Sequence, residues 1–182
     1  TGTAKDAIQY YLHNISGPDV ASDSHIVDLT SAAGRSARYR PFLKRVELYT
    51  ENDKPMMGQL RAGAPIKAVI AFQLDEPCLN FDASIAFDTH AGQRVCTAIS
   101  AYDPNRVHEE RVGEQVFVCD IPSLPLVPGE YRIGVGLDIA GHDVDWVDDA
   151  AKVTVVRSDY YGTGFLPERG TFLVQNRWTL AD

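Results

Sequence analysis

The residues of this sequence with the chemistry to recognise a ligand fall on alternate positions of one stretch. Arg132, Gly134, Gly136 and Asp138 interleave with Tyr131, Ile133, Val135, Leu137 and Ile139, the period of a strand with one apolar and one polar face. On the strands expected beside it, the outward positions are Ser84, Ala86 and Asp88, then Arg94, and on the return strand Lys152 and Thr154. The middle of that face is small and its edges are hydroxylic or charged. Glycine inside a strand weakens it and marks close approach by a ligand or another backbone, unless it serves only twist or a bulge. On the first reading the face is a shallow groove lined by donors and acceptors. Its candidate ligand-binding residues are Ser84, Asp88, Arg94, Arg132, Gly134, Gly136, Asp138, Lys152 and Thr154.

Catalytic signatures are absent. There is no GxxxxGK[ST], GxGxxG, GxSxG or HExxH, so the familiar phosphate, dinucleotide, nucleophile-elbow and zinc-protease sites are not encoded. The five histidines, His13, His25, His90, His108 and His142, are scattered through expected loops and ends. Asp138, Asp143, Asp145, Asp148 and Asp149 have the oxygens calcium needs but not the spacing of an EF-hand loop, so a solvated hairpin end is expected and no metal. No enzyme activity and no cofactor are expected.

The elements that must position these residues are strands. Pro128-Gly129 opens a hairpin whose return arm carries Val153 and Val155. Upstream, short alternating runs are separated by turns: Val46 and Leu48; Ile66 to Leu74, ended by Glu76-Pro77; Ala83 to Phe87; Arg94 to Ser100; and Phe117 to Ile121. Seven or so such strands between residues 45 and 157 predict an all-β, immunoglobulin-like antiparallel β-sandwich, with a closed barrel as the alternative. Ile8, Tyr11, Leu12 and Ile15 recur at helical spacing, predicting a short N-terminal helix or linker. The expected division is an extension over 1–42 and the sandwich domain over 43–182. Arg35, Arg38, Arg40, Lys44 and Arg45 cluster in an otherwise acidic chain, as a solvated loop or as a contact for an anion or neighbouring domain. Thr171 to Trp178 reads as a last strand beyond a complete sandwich, available for exchange with a second copy.

A formal net charge of -8 argues against nucleic acid as a partner. No apolar run approaches the roughly 20 residues of a membrane helix. Cys78, Cys96 and Cys119 are read as small buried hydrophobes. The chain opens on Thr1 and its only methionines are Met56 and Met57, as expected of a piece of a longer protein.

Gly92-Gln93-Arg94-Val95, Ile121-Pro122 through Leu126, Pro128-Gly129-Glu130-Tyr131, Asp148-Asp149-Ala150, Val153 to Val155 and Gly162-Thr163-Gly164 together resemble the C-terminal domain of Wzt-type proteins over roughly residues 40 to 178. Those are ATP-binding subunits of bacterial ABC transporters that export O-antigen polysaccharide. The resemblance implies a cytoplasmic carbohydrate-binding domain at the inner membrane, with an ATPase domain upstream and a membrane subunit as partner. It also implies binding of the lipopolysaccharide glycan, often by a modified non-reducing end, and work in pairs. It marks no ligand residue, so the site rests on the groove alone; Trp146, Tyr160 and Tyr161, expected in loops, are second candidates because aromatic faces stack on sugar rings. A dimerisation or docking module, its small-residue face receiving a protein strand, is the alternative reading.

Overall fold

The computed structural model describes residues 24–106 and 108–181. Its ten strands form two sheets. The first has the order β1 (Ile26–Asp28), β2 (Leu43–Thr50), β5 (Ile66–Cys78), β8 (Arg111–Ile121), with β3 (Lys54–Pro55) also on β2. The second has the order β4 (Gln59–Arg61), β10 (His142–Val156), β9 (Gly129–Ile139), β6 (Phe81–Thr89), β7 (Arg94–Ile99). All pairings are antiparallel except the short one between β4 and β10. The expected all-β sandwich is therefore the fold, with one parallel edge added to it.

Period-two alternation builds the core. Ile66, Ile70, Phe72 and Leu74 of β5 face Ile85 and Phe87 of β6 and Ile133, Val135 and Leu137 of β9, all at 0–1% exposure. Each such side chain contributes about 1.5–3 kcal/mol as an upper bound. The β9–β10 hairpin turns at Ala140 and Gly141, whose φ angles of 54° and 82° suit the primed turns that match strand twist. The Gly141 N–H donates to Asp138 Oδ1 at 2.8 Å and closes that turn. Cys78, Cys96 and Cys119 are unpaired and half-buried, and burial pushes the Cys96 and Cys119 thiols up from their ordinary pKa.

Three expectations need correction. β1 pairs with β2, so residues 26–42, assigned to the extension, pack with the sandwich; the helix expected near Ala4 to Ile15 lies outside the described residues. β5 continues through Glu76-Pro77 to Cys78, with a register shift after Leu74 that accommodates the proline. No strand runs from Thr171 to Trp178. Only an isolated bridge joins Phe172 to Leu126; Leu173 is buried there, whereas Val174, Trp178 and Leu180 are exposed. The arginine-rich segment is a largely exposed loop as far as Pro41, where Arg40 pairs with Asp75, while Lys44 and Arg45 lie on β2 and Arg45 pairs with Glu47 and Glu114.

Arg35 goes further and enters the interior. Its guanidinium makes two bonds to the Asp145 carboxylate, at 2.7 and 3.1 Å, and donates to the carbonyls of Thr30 and Leu43. Asp145 is fully buried and also accepts the Leu43 N–H at 2.8 Å. One carboxylate on β10 thus holds the start of β2 and the 29–42 loop in a single network. Because breaking a buried pair strands the remaining charge, Asp145→Ala is expected to cost about 3–5 kcal/mol in urea unfolding. Replacing both partners, Arg35→Met with Asp145→Leu, is expected to cost less than the single change.

Candidate functional site

The nine residues singled out from the alternation lie on one face of the second sheet. Cross-strand register sets Ser84 opposite Gly136, Ala86 opposite Gly134, and Asp88 opposite Arg132. On the far side of β9, Arg132 faces Lys152, and Glu130 faces Thr154. Arg94 comes opposite Asp88 after a bulge in β7, and Asp138 stands opposite both Asp82 and Asp143.

The centre of this face is not an empty groove. Register places Trp146 opposite Gly136, and its indole lies over both buried glycines. A Cβ built on Gly136 would come 2.4 Å from indole Cε3 and 2.5 Å from Ser84 Oγ; one on Gly134 would come 3.0 Å from indole Cζ2. The glycines are small because a ring of the same chain occupies the space above them. Trp146 Nε1 donates to Asp148 Oδ1 at 2.6 Å, fixing the ring's rotation. Above it, the Arg94 guanidinium sits 5.0 Å from the ring centroid, within cation–π range. Asp88 in turn binds that guanidinium with both oxygens.

Toward the hairpin turn the face opens into a cavity of about 510 Å³, lined by Asn80, Ser84, Tyr102, Arg106, Asp138 and Asp143 among others. Asp82 forms its wall, accepting from Arg106 at 2.6 Å and Ser100 Oγ at 2.9 Å. Tyr102 is 81% exposed. Two candidates, Ser84 and Asp138, line this cavity. At the other end Arg132 pairs with Asp149 at 3.2 Å, while its buried Nε has no hydrogen-bond partner. A donor left without an acceptor in a folded protein asks for water or a ligand oxygen. Among the described residues, no cluster of His, Cys, Asp or Glu is arranged to hold a metal ion.

Sequence reasoning put Trp146 in a loop, whereas it belongs to β10; Tyr102, Arg106 and Asn80 were not singled out. The bulges between Asp143 and Asp145 and between Val147 and Ala151 break the alternation that would have revealed Trp146. Tyr160, by contrast, packs on Gly63 and Tyr161 and donates to the Leu173 carbonyl, which gives it a structural task.

The ring over the glycines predicts the outcome of a small change. Gly136→Ala is expected to displace the indole and to cost about 1–3 kcal/mol by overpacking. Fluorescence in a Trp178→Phe background, Trp178 being almost fully exposed, should report Trp146 moving toward solvent.

None of the curated proteins matches the chain. Among solved structures, one described as the crystal structure of the C-terminal domain of Wzt superposes with a TM-score of 0.61 at 12% identity, covering 88% of this chain and 90% of that one. At that identity the likeness speaks for the fold. The Wzt C-terminal domain model matches residues 42–166, a span that holds the whole of β2 through β10, and the chain accordingly belongs to the Wzt C-terminal domain family.

Proposed function

We propose that this domain binds polysaccharide on the outer face of the β4-β10-β9-β6-β7 sheet and performs no chemistry on it. The observation that carries the reading is the Trp146 ring, fixed over Gly134 and Gly136 and layered with Arg94, beside a cavity of hydroxyl, amide and carboxylate groups. Sugars offer an apolar ring face and a rim of hydroxyls, and such a platform and cavity suit the two parts. Family membership supports a role with an ABC transporter that exports polysaccharide. On this reading the ligand is the O-antigen glycan, selected by its modified non-reducing end on the cytoplasmic side of the inner membrane. The transporter's ATPase domain and membrane subunit are then partners.

Titration calorimetry against the surface polysaccharide of the source strain, with and without its terminal modification, tests this. Binding without turnover and unchanged in chelator is expected, and a strict calcium requirement would transfer the site to the Asp143 to Asp149 stretch. Arg132→Ala and Asp88→Ala are each expected to weaken binding about tenfold while leaving the melting transition in place. The first removes the donor without a partner and the second releases Arg94 from its seat. Normal binding by both folded variants would remove this face from consideration.

A dimer is the second part of the proposal, and a separate observation favours it. Beyond buried Leu173, the tail exposes Val174, Trp178 and Leu180 at 65–95%, all on one side of an alternating pattern. Strand β8 meanwhile has β5 as its one strand neighbour among the described residues and exposes Val112, Val116 and Val118. Apolar tail and unpaired edge are complementary needs, which a second copy meets by exchanging its tail. Light scattering should find the full chain dimeric and a chain ending at Leu173 monomeric; a dimeric truncated protein would contradict the exchange. The alternative that the small-residue face receives a protein strand loses ground, because Trp146 lies where such a strand would pass.

A further inference from the structure

The charges of this face divide unevenly. Its arginines are each held by an aspartate of the same chain: Arg94 by Asp88, Arg106 by Asp82, and Arg132 by Asp149. The Asp82–Arg106 pair is largely withdrawn from solvent, and Ser100 Oγ adds a bond to the same carboxylate. The guanidiniums of Arg94 and Arg106 are thus not unclaimed cations offered to an anionic ligand, whereas Arg132, remote from the cavity, keeps one donor open. The carboxylates are not all matched in this way. Asp138 and Asp143 stand opposite each other across the hairpin and line the cavity, and neither forms an ion pair among the described residues. Among the described residues the Asp138 carboxylate accepts one hydrogen bond, from the Gly141 N–H, which leaves it acceptor positions for a ligand.

We infer that the site takes an uncharged or amine-bearing glycan and rejects one carrying carboxylate or phosphate groups in this cavity, a selection that rests on the glycan-binding reading above. Neutral hydroxyls donate to ionised carboxylates, and an ammonium group donates and neutralises. A ligand carboxylate or phosphate meets like charge from both Asp138 and Asp143 at short range in a concave space, a repulsion that is strongest at low salt. To bind Arg94 or Arg106, it must first displace an aspartate that then stays in the site as a second negative charge, and the partnerless Nε of Arg132 stands at the far end of the face from this cavity. Discrimination by placed repulsion is a general way to reject a near-identical competitor.

The test uses the source strain's surface polysaccharide, released from lipid by mild acid and assayed for uronate and phosphate. Binding of a polymer free of both is expected. Its primary alcohols are then oxidised to carboxylates, so that ring and linkage are retained while charge is added. At low salt the oxidised polymer should bind tenfold or more weakly than the parent. In Asp138→Asn/Asp143→Asn the ratio of the two affinities should shrink to threefold or less, whatever the variant's affinity for the parent. Lost hydroxyl contacts alone would leave that ratio unchanged. An anionic polymer that binds tightly, or a ratio unaltered in the variant, overturns the charge selection while leaving glycan binding intact. Failure of the parent polymer to bind overturns both.

Discussion

The buried contact between Arg35 and Asp145 is the constraint on which the arrangement of this molecule turns. Asp145 is the inward residue of an irregular stretch of β10, and holding it inward sends its neighbour Trp146 outward. The 29–42 loop crosses that stretch closely: Asp148 N–H donates to the Gly34 carbonyl, and a Cβ on Gly34 would lie 1.7 Å from the Asp148 carbonyl oxygen. A loop that enters the interior, a glycine that lets it approach and a carboxylate that binds its arginine together set the bulge. The bulge sets the indole, and the indole accounts for Gly134 and Gly136. Interior electrostatics on one side of the sheet thereby position the proposed recognition surface on the other.

This division of labour has an energetic logic. A buried ion pair adds little net stability compared with apolar packing, since both charges must be desolvated. What Asp145 supplies is definition: it binds Arg35 twice and the Leu43 N–H once, and such directional bonds admit few alternative arrangements of β2 and the loop. Stability itself resides in the rows of Ile, Val, Leu and Phe between the sheets. The outer face is freed from carrying the fold and can hold glycines and charged side chains.

The sequence made the hairpin, most strands and the shared face of the candidate residues legible because period-two alternation is local, and it persists wherever a strand is regular and half-buried. Tyr131 to Ile139 is such a strand, and its outward residues do share a face with Ser84, Asp88, Arg94, Lys152 and Thr154. It was illegible where the determinant is distant in the chain or the period fails. Ile26–Asp28 is too short to show a period. Arg35 reads as one of several surface arginines until its partner 110 residues later is known. Trp146 is hidden by two register shifts, and the glycines alone could not tell an incoming ligand from a side chain of the same protein. The C-terminal segment reads as a strand from its alternation, yet the pairing observed for it is a short bridge around Phe172, in which the Val127 N–H donates to the Thr171 carbonyl and the Leu173 N–H to that of Pro125.

The central claim is that the Trp146 platform and the adjoining cavity are where glycan meets protein. Its most direct measurement is amide and indole nitrogen–proton correlation spectroscopy during addition of the source strain's polysaccharide. The account predicts that the Trp146 Nε1–H and the amides of Gly134, Gly136 and Asp138 shift together with saturation, while those of β8 stay in place. Shifts confined to β8 or the tail after Leu173, or saturable binding that leaves the Trp146 indole signal unmoved, would contradict it.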